Sequence, residues 1–280
     1  MEALVRMPYE AAVRMAVASL ERNLLPDAVV RRLTRLLLAS RLRSSYLPSA
    51  DLQLARLLDF KCSLQDMPIA VETDKANSQH YELPTSFFKL VLGKNLKYRD
   101  LQLFNVEVIV ADISKFEMEA TFDRVISIEM FEHMKNYKEL LKKISKWMKQ
   151  DSLLFVHHFC HKTFPYHFED KNEDDWITRY FFAGGTMPSA NLLLYFQDDV
   201  TVVNHWLVKG THYARTSEEW LKRMDRSLAS VRPIFETTYG NDSATKWIAY
   251  WRTFFLAVAE LFGYNNGEEW MITLYLFKKK

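Results

Sequence analysis

Glycine is scarce in this chain, and its placement excludes a common kind of binding loop. The sequence has seven glycines, namely Gly93, Gly184, Gly185, Gly210, Gly240, Gly263 and Gly267. None of them lies in a strand–GxGxxG–helix context, where backbone N–H groups can approach a bound cofactor. The chain therefore lacks the glycine-rich turn that open α/β sheets normally carry after an early strand.

The chain also has only two cysteines, a small net charge and no long apolar run. Cys62 and Cys160 are far apart and lack metal-ligand spacing, so we expect reduced thiols, no metal site and a cytoplasmic protein. A net charge of +2 is too small to suggest nucleic acid or an anionic membrane as a partner. We expect no membrane span, because no apolar run approaches the ~20 residues required, and no signal peptide, because charges interrupt the N-terminal stretch.

Apolar residues, in contrast, are abundant. They make up 49% of the 280 residues, enough for a sizeable core in one large domain or two small ones. The aromatic rings, at 14%, suit either that core or a pocket for flat, apolar ligands. The usual burial of aromatic residues favours the core.

The apolar periodicity predicts an α/β protein. Helices are predicted at 8–24, 27–44, 50–60, 87–92, 137–148, 217–231 and 243–262, and strands at 106–112, 122–128, 152–158, 201–207 and 271–277. Asp27 follows Pro26 and is placed as a cap for the second helix. The successive strand–helix units between 106 and 158 argue for a parallel sheet.

Acids and an imidazole follow the predicted strand 122–128. Glu129, Glu132 and His133 stand at its carboxyl end, where open α/β sheets bind ligands. A histidine beside a carboxyl group can accept a proton near neutral pH, so these residues are candidates for acid–base chemistry. On spacing alone, they could equally cap the following helix.

Seven segments occur in an order that is far more specific than a lone motif. They are HYELPTSFF (80–88), NVEVIVADISKF (105–116), FDRVISIEMFEHMKNY (122–137), LFVHHFCHKTF (154–164), RYFFAGGTMPS (179–189), HYARTSEEWLKRM (212–224) and YWRTFFLAVAELFGYNNGEEW (250–270). In these segments the chain resembles the plant coclaurine N-methyltransferases, which form a wider group with the cyclopropane fatty acid synthases.

The resemblance implies a class I methyltransferase fold, a Rossmann-like α/β sheet with helical additions. We expect a helical N-terminal region at 1–95, a truncated core at 96–160, and helical lid insertions with the rest of the core at 161–280. It also implies S-adenosylmethionine as the cofactor. The expected reaction is the N-methylation of a small aromatic amine such as a tetrahydroisoquinoline alkaloid precursor.

The resemblance also assigns roles to residues near the expected cofactor. Asp112 and Ile113 match the adenine contacts, and a carboxylate at a strand end can accept from the adenine amino group. Tyr81 and Tyr98 match aromatic positions near the methionine end of the cofactor. From the sequence alone, Asp112 could equally belong to a turn, and the two tyrosines could be ordinary packing.

Catalytic and substrate residues follow from the same resemblance. Glu129, Glu132 and His133 match the active-site motif, which favours catalysis there over helix capping. His157 and Tyr213 match positions that help to hold a bicarbonate base in cyclopropane synthases, although His157 could equally be a satisfied sheet histidine.

An aromatic helix supplies the remaining predicted pocket residues. Tyr250, Trp251 and Phe254 could wall a pocket for a flat ring, with cation–π contacts to an amine. The cysteine of the synthases would fall near Val258, which argues against their lipid chemistry.

One segment of the family is missing. Between Tyr98 and Asn105, roughly 70 residues are absent, about two strand–helix units. We expect strand 106–112 to move beside strand 122–128 in a rearranged sheet, or else local unfolding of 95–125.

Two functional hypotheses follow. The chain is either an S-adenosylmethionine-dependent amine N-methyltransferase or an impaired, splice-type variant. The second would act only by association with a full-length paralogue or be inactive. The expected partner is a small-molecule amine, with a homodimer as a further alternative.

Overall fold

A computed structural model describes residues 2–75, 83–93 and 107–280. The helices are α1 Glu2–Glu21, α2 Asp27–Ser45, α3 Ala50–Gln65, α4 Thr85–Leu92, α5 Tyr137–Lys146, α6 Trp176–Phe181, α7 Thr211–Arg226, α8 Leu228–Tyr239 and α9 Asn241–Gly263. The strands are β1 Phe122–Ile128, β2 Met148–His161, β3 Tyr166–His167, β4 Thr186–Met187, β5 Val200–Val208 and β6 Trp270–Lys279.

A four-stranded sheet in the order β1-β2-β6-β5 forms the centre of the described chain. β1 and β2 are parallel and joined by α5, which confirms the predicted strand–helix–strand unit. β6 runs antiparallel to both β2 and β5, so the sheet is mixed rather than wholly parallel. The sheet thus combines strands from 122–161 with strands from 200–279, and the proposed three-part division of the chain stays a prediction.

The predicted strand at 106–112 is wrong for the residues that can be described. Residues 107–112 form no strand, and β1 is the edge of its sheet. Asp112 instead starts a turn in which its carbonyl accepts from the Lys115 and Phe116 N–H groups. The Lys143 ammonium donates to the Ser114 carbonyl at 3.2 Å and holds this turn against α5. The expected pairing of 106–112 with β1 is therefore not observed.

Local sequence signals explain several helix ends. Ser49 caps α3, and Asn136 caps α5 by accepting from the Glu139 N–H at 3.0 Å. Asp27 is not a cap, because Pro26 holds that position and the Asp27 carboxylate binds Arg252. The predicted helix 217–231 is two helices, α7 and α8, that meet at Ser227.

The buried core has two main parts. One part lies between α5 and one face of the sheet, with Leu140, Val156 and Tyr275 fully buried. The other is an aromatic cluster of the helical region around Phe87 and Trp251. Among the residues that the structure describes, no helix is long and apolar enough to cross a membrane.

Candidate active site

Glu129 begins the turn that follows β1, and it does so in a left-handed backbone conformation. Its φ is 52°, a region that residues with a side chain rarely adopt. The Glu129 N–H donates to the His157 carbonyl at 2.9 Å, which anchors the turn on β2. The chain then enters a 3₁₀ turn at Phe131–His133. All three predicted catalytic residues therefore lie beyond the carboxyl end of a parallel strand, where α/β sheets bind ligands.

The Glu129 side chain faces the imidazole of His157 on the neighbouring strand. Glu129 Oε1 and His157 Nδ1 are 2.9 Å apart. Both atoms are buried, and neither makes an aligned hydrogen bond within the described residues. The structure thus brings a predicted catalytic residue against a predicted pocket residue.

Glu132 is almost completely buried, with 1% of its surface exposed. Burial, followed by the nearby charge of Glu129, raises the pKa of the Glu132 carboxyl well above its ordinary range. Its Oε2 atom has no hydrogen-bond partner among the residues that the structure describes. A buried carboxyl of this kind can hold a proton at higher pH than usual and exchange it with a bound base.

Tyr213, from the first turn of α7, lies beside the same two carboxyl groups. Burial, and then the charges of Glu129 and Glu132, raise the pKa of its phenol, so the hydroxyl remains a hydrogen-bond donor. The ring packs on Phe262, with ring centroids 4.5 Å apart. Four of the predicted site residues therefore lie close together beyond the carboxyl end of β1, namely Glu129, Glu132, His157 and Tyr213.

The imidazole of His133 stacks in parallel on the ring of Phe182. The ring centroids are 5.8 Å apart and the planes differ by 2°. Phe182 in turn contacts Phe254, one of the predicted pocket residues, at 6.3 Å between centroids. Phe254 is thus separated from His133 by a single aromatic ring.

Comparison with known proteins identifies the relatives of this arrangement. Residues 99–265 match the family model of mycolic acid cyclopropane synthetase. The (S)-coclaurine N-methyltransferase of Thalictrum flavum subsp. glaucum is 39% identical, with 98% of each chain covered. The chain belongs to the coclaurine N-methyltransferase group of this family. The pavine N-methyltransferase of the same plant is 35% identical, over 96% of this chain and 98% of the relative.

A solved relative has the same fold. It is a coclaurine N-methyltransferase bound to N-methylheliamine and SAH, with a TM-score of 0.91 and 39% identity. The match covers 96% of this chain and 100% of that chain. The fold is therefore that of a class I methyltransferase, as the resemblance in sequence implies.

The related (S)-coclaurine N-methyltransferases are longer than this chain. The alignment with the Thalictrum (S)-coclaurine N-methyltransferase runs over 352 positions although the chain has 280 residues, so at least 72 positions have no residue from this chain. This difference is close in size to the roughly 70 residues expected to be missing, about two strand–helix units. Their expected place between Tyr98 and Asn105 stays a prediction.

Methyltransferases of this family use S-adenosylmethionine, and the described residues do not form a site that fits it. Asp112 Oδ1 already accepts from the Ser114 hydroxyl at 2.7 Å and the Ser114 N–H at 2.9 Å. The hydroxyl contact is the main reason that the pKa of Asp112 is lowered. Ile113 packs into the core beneath α5. Tyr81 and Tyr98 lie outside the described residues. The glycine-rich turn is also missing from the sequence. The assignment of these four residues as cofactor contacts stays a prediction.

Tyr250 and Trp251 are placed in the aromatic core of the helical region. The Tyr250 hydroxyl donates to Glu21 Oε1 at 2.6 Å, which joins α9 to α1. The Trp251 ring packs on Phe87 and Phe181, with centroids 5.0 and 5.2 Å away. Their assignment to the substrate pocket therefore stays a prediction, and their observed contacts are those of core residues.

A cavity of about 280 Å³ is lined by Lys135 and His167, two residues that no sequence pattern indicates as functional. Lys135 Nζ lies 2.9 Å from His167 Nδ1 and donates to the Gly185 carbonyl at 2.8 Å. Burial lowers the pKa of Lys135 to about 8. The only sequence signal for this pair is that Lys135 comes two residues after His133 in the active-site motif.

Proposed function

We propose that this chain binds a small aromatic amine, such as a tetrahydroisoquinoline, as an N-methyltransferase of the family that uses S-adenosylmethionine. The observation that carries the proposal is the group of carboxyl and imidazole side chains beyond β1, with Glu129 Oε1 2.9 Å from His157 Nδ1. The relatives are named for the methylation of coclaurine and pavine, which supports an alkaloid amine as the substrate.

The chain's own residues account for the binding and deprotonation of the amine. An amine is nucleophilic only when neutral, so its ammonium form must lose a proton. The Glu129 carboxylate attracts the ammonium group and orients it. The His133 imidazole then accepts the proton, and its stacking on Phe182 holds the ring plane in place. Glu132, whose buried carboxyl has a raised pKa, stays protonated and adds no second negative charge beside Glu129, and the proton on His133 passes to solvent.

A second candidate is a variant that binds amine or a full-length paralogue without transferring a methyl group. The observations that favour it concern the residues expected to bind the cofactor. The chain has no glycine-rich turn, and Asp112 is engaged by Ser114. We also place the protein in the cytoplasm, because Cys62 and Cys160 are both free thiols, which suits a reducing compartment.

Separate titrations distinguish the two candidates. Calorimetry of the folded chain with S-adenosylmethionine, and independently with a tetrahydroisoquinoline, measures each half of the site. Binding of both, followed by transfer of a labelled methyl group, supports the N-methyltransferase. Binding of the amine alone supports the impaired variant. If the folded chain binds neither, the amine-binding proposal is wrong.

Matched variants test whether the amine occupies the expected site. Glu129→Gln should weaken amine binding by about tenfold or more, because it removes the carboxylate that attracts the ammonium group, and His133→Asn should weaken it because it removes the group that accepts the proton. His212→Asn is the control, since His212 is exposed on α7. Equal affinity of all three variants would place the amine elsewhere.

A further inference from the structure

The His133 imidazole stacks on a loop that is distant from it in sequence. Phe182, whose ring plane differs from that of His133 by 2°, begins a β-turn in which its carbonyl accepts from the Gly185 N–H at 3.1 Å. Gly184 lies within this turn with a φ of 70°, a conformation that favours glycine. The position of the Phe182 ring therefore depends on what holds the β-turn at 182–185.

The side chain of Lys135 holds this β-turn. Its Nζ donates to the Gly185 carbonyl at 2.8 Å and to the Thr186 hydroxyl at 2.9 Å, and it lies 2.9 Å from His167 Nδ1. Burial, and then the charge of Lys135, lower the pKa of His167 to about 4, so its imidazole is neutral and Nδ1 can accept. These three acceptors match the three N–H donors of an ammonium group.

The backbone of Lys135 is anchored beside the turn that carries the acid–base residues. Two positions after His133, its N–H donates to the Ile69 carbonyl at 2.8 Å. Only 3% of Lys135 is exposed. Because a buried ammonium is unfavourable unless it is hydrogen-bonded, the side chain is confined to this geometry. Lys135 thus links the segment that carries His133 to the β-turn that carries Phe182.

We propose that Lys135 is a positioning residue for the candidate acid–base site and that it acts through Phe182. The ammonium fixes the β-turn, and the Phe182 ring then keeps the His133 imidazole in one orientation. This inference rests on the proposed function, in which His133 accepts the proton of the amine. Lys135 itself does not bind the amine, because groups of the protein take all of its donors.

NMR of the chain with ¹³C-labelled histidine, recorded without amine, tests the proposal. The imidazole signals of His133 are identified by their loss in His133→Asn. Phe182→Leu removes the stacked ring and provides the reference, because an aromatic ring shifts the signals of nearby protons. Lys135→Met should shift the His133 signals in the same direction as Phe182→Leu does. Unchanged His133 signals in the folded Lys135 variant would overturn the proposal.

Lys143→Met is the matched control. Lys143 is also buried and hydrogen-bonded, but its partners lie in the turn at 114–117. Its replacement removes a buried lysine without touching the β-turn, so the His133 signals should stay at their wild-type positions. A shift equal to that of Lys135→Met would mean that the signals report a general loss of packing, and the proposal would be wrong.

A double variant tests the route of the effect. If Lys135 acts through Phe182, Lys135→Met should cause no further shift in the Phe182→Leu background. A further shift as large as in the wild-type background would contradict the proposal and favour a route through the Thr186 hydroxyl, which donates to the Met134 carbonyl at 3.3 Å. Lys135→Gln is the second variant should the methionine variant not fold. Its amide keeps a donor but loses the charge, and it should shift the His133 signals in the same direction.

Calorimetry with a tetrahydroisoquinoline separates this inference from the proposed function. The amine affinity of Lys135→Met should fall toward that of His133→Asn, whereas Lys143→Met should bind as the wild type does. If the wild type binds no amine, the proposed function is wrong, and the NMR comparison still decides whether Lys135 positions His133.

Discussion

Glu129 Oε1 lies 2.9 Å from His157 Nδ1, and Glu129 reaches this position through a left-handed backbone with φ of 52°. The two facts are connected, because the turn that reverses the chain after β1 also directs the carboxylate onto β2. For a residue with a side chain, this conformation costs roughly 1–2 kcal/mol. Backbone strain of this kind is typical of functional turns.

The backbone cost at position 129 can be separated from the loss of the carboxylate. Glu129→Gly and Glu129→Ala both remove the side chain that faces His157, but only glycine adopts the observed φ without strain. We expect Glu129→Gly to be more stable than Glu129→Ala by about 1 kcal/mol in urea unfolding. An alanine variant as stable as the glycine variant would show that the turn is unstrained.

The buried carboxyl of Glu132 should make stability depend on pH in a defined direction. Its folded-state pKa is raised above the ordinary 4.5, so the folded protein keeps the proton while the unfolded chain loses it. The contribution to stability is present below that value and is lost as the pH rises toward the folded-state pKa.

Glu132→Gln should remove this loss. The unfolding free energy of the variant relative to the wild type should therefore increase from about pH 4.5 upward. Urea unfolding at several pH values measures it, and Glu119→Gln, at an exposed position, is the control. A difference that is constant with pH would mean that Glu132 titrates normally.

Much of the sheet and of the turn that follows β1 could be predicted from sequence. Strands such as 201–207 and 271–277 show the apolar pattern of paired strands, and the structure places strands there. The group Glu129, Glu132 and His133 was predicted from its position after β1, because the end of a strand determines where the next side chains lie.

The segment 106–112 could not be predicted in the same way. Its β-branched residues indicate a strand, but a strand forms only beside another strand, and no pairing is observed for 107–112. The core position of Trp251 and the cavity position of Lys135 depend likewise on contacts between distant segments. Local sequence patterns carry no information about such contacts.

Lys135 should be a strong determinant of stability. Its ammonium donates to the Gly185 carbonyl at 2.8 Å and to the Thr186 hydroxyl at 2.9 Å, and all these groups are buried. Lys135→Met would remove two buried hydrogen bonds from a charged donor, while the Gly185 carbonyl would keep its hydrogen bond from the Phe168 N–H at 3.0 Å, so we expect a loss of roughly 1–3 kcal/mol in unfolding free energy. Lys138→Met, at a half-exposed position, should change it by less than about 0.5 kcal/mol. Similar losses for the two variants would contradict a special role for the buried ammonium.

Arg252 joins three helices through two carboxylates. From α9, its guanidinium donates to both oxygens of Asp27 at 3.1 Å, and to Asp225 at 2.7 and 3.2 Å. Lysine keeps the charge but cannot reproduce this fork, so Arg252→Lys should lower the unfolding free energy by about 1 kcal/mol. Arg226→Lys, at an exposed position on α7, should leave the urea midpoint unchanged. If both variants unfold at the wild-type midpoint, the paired hydrogen bonds add nothing beyond the charge.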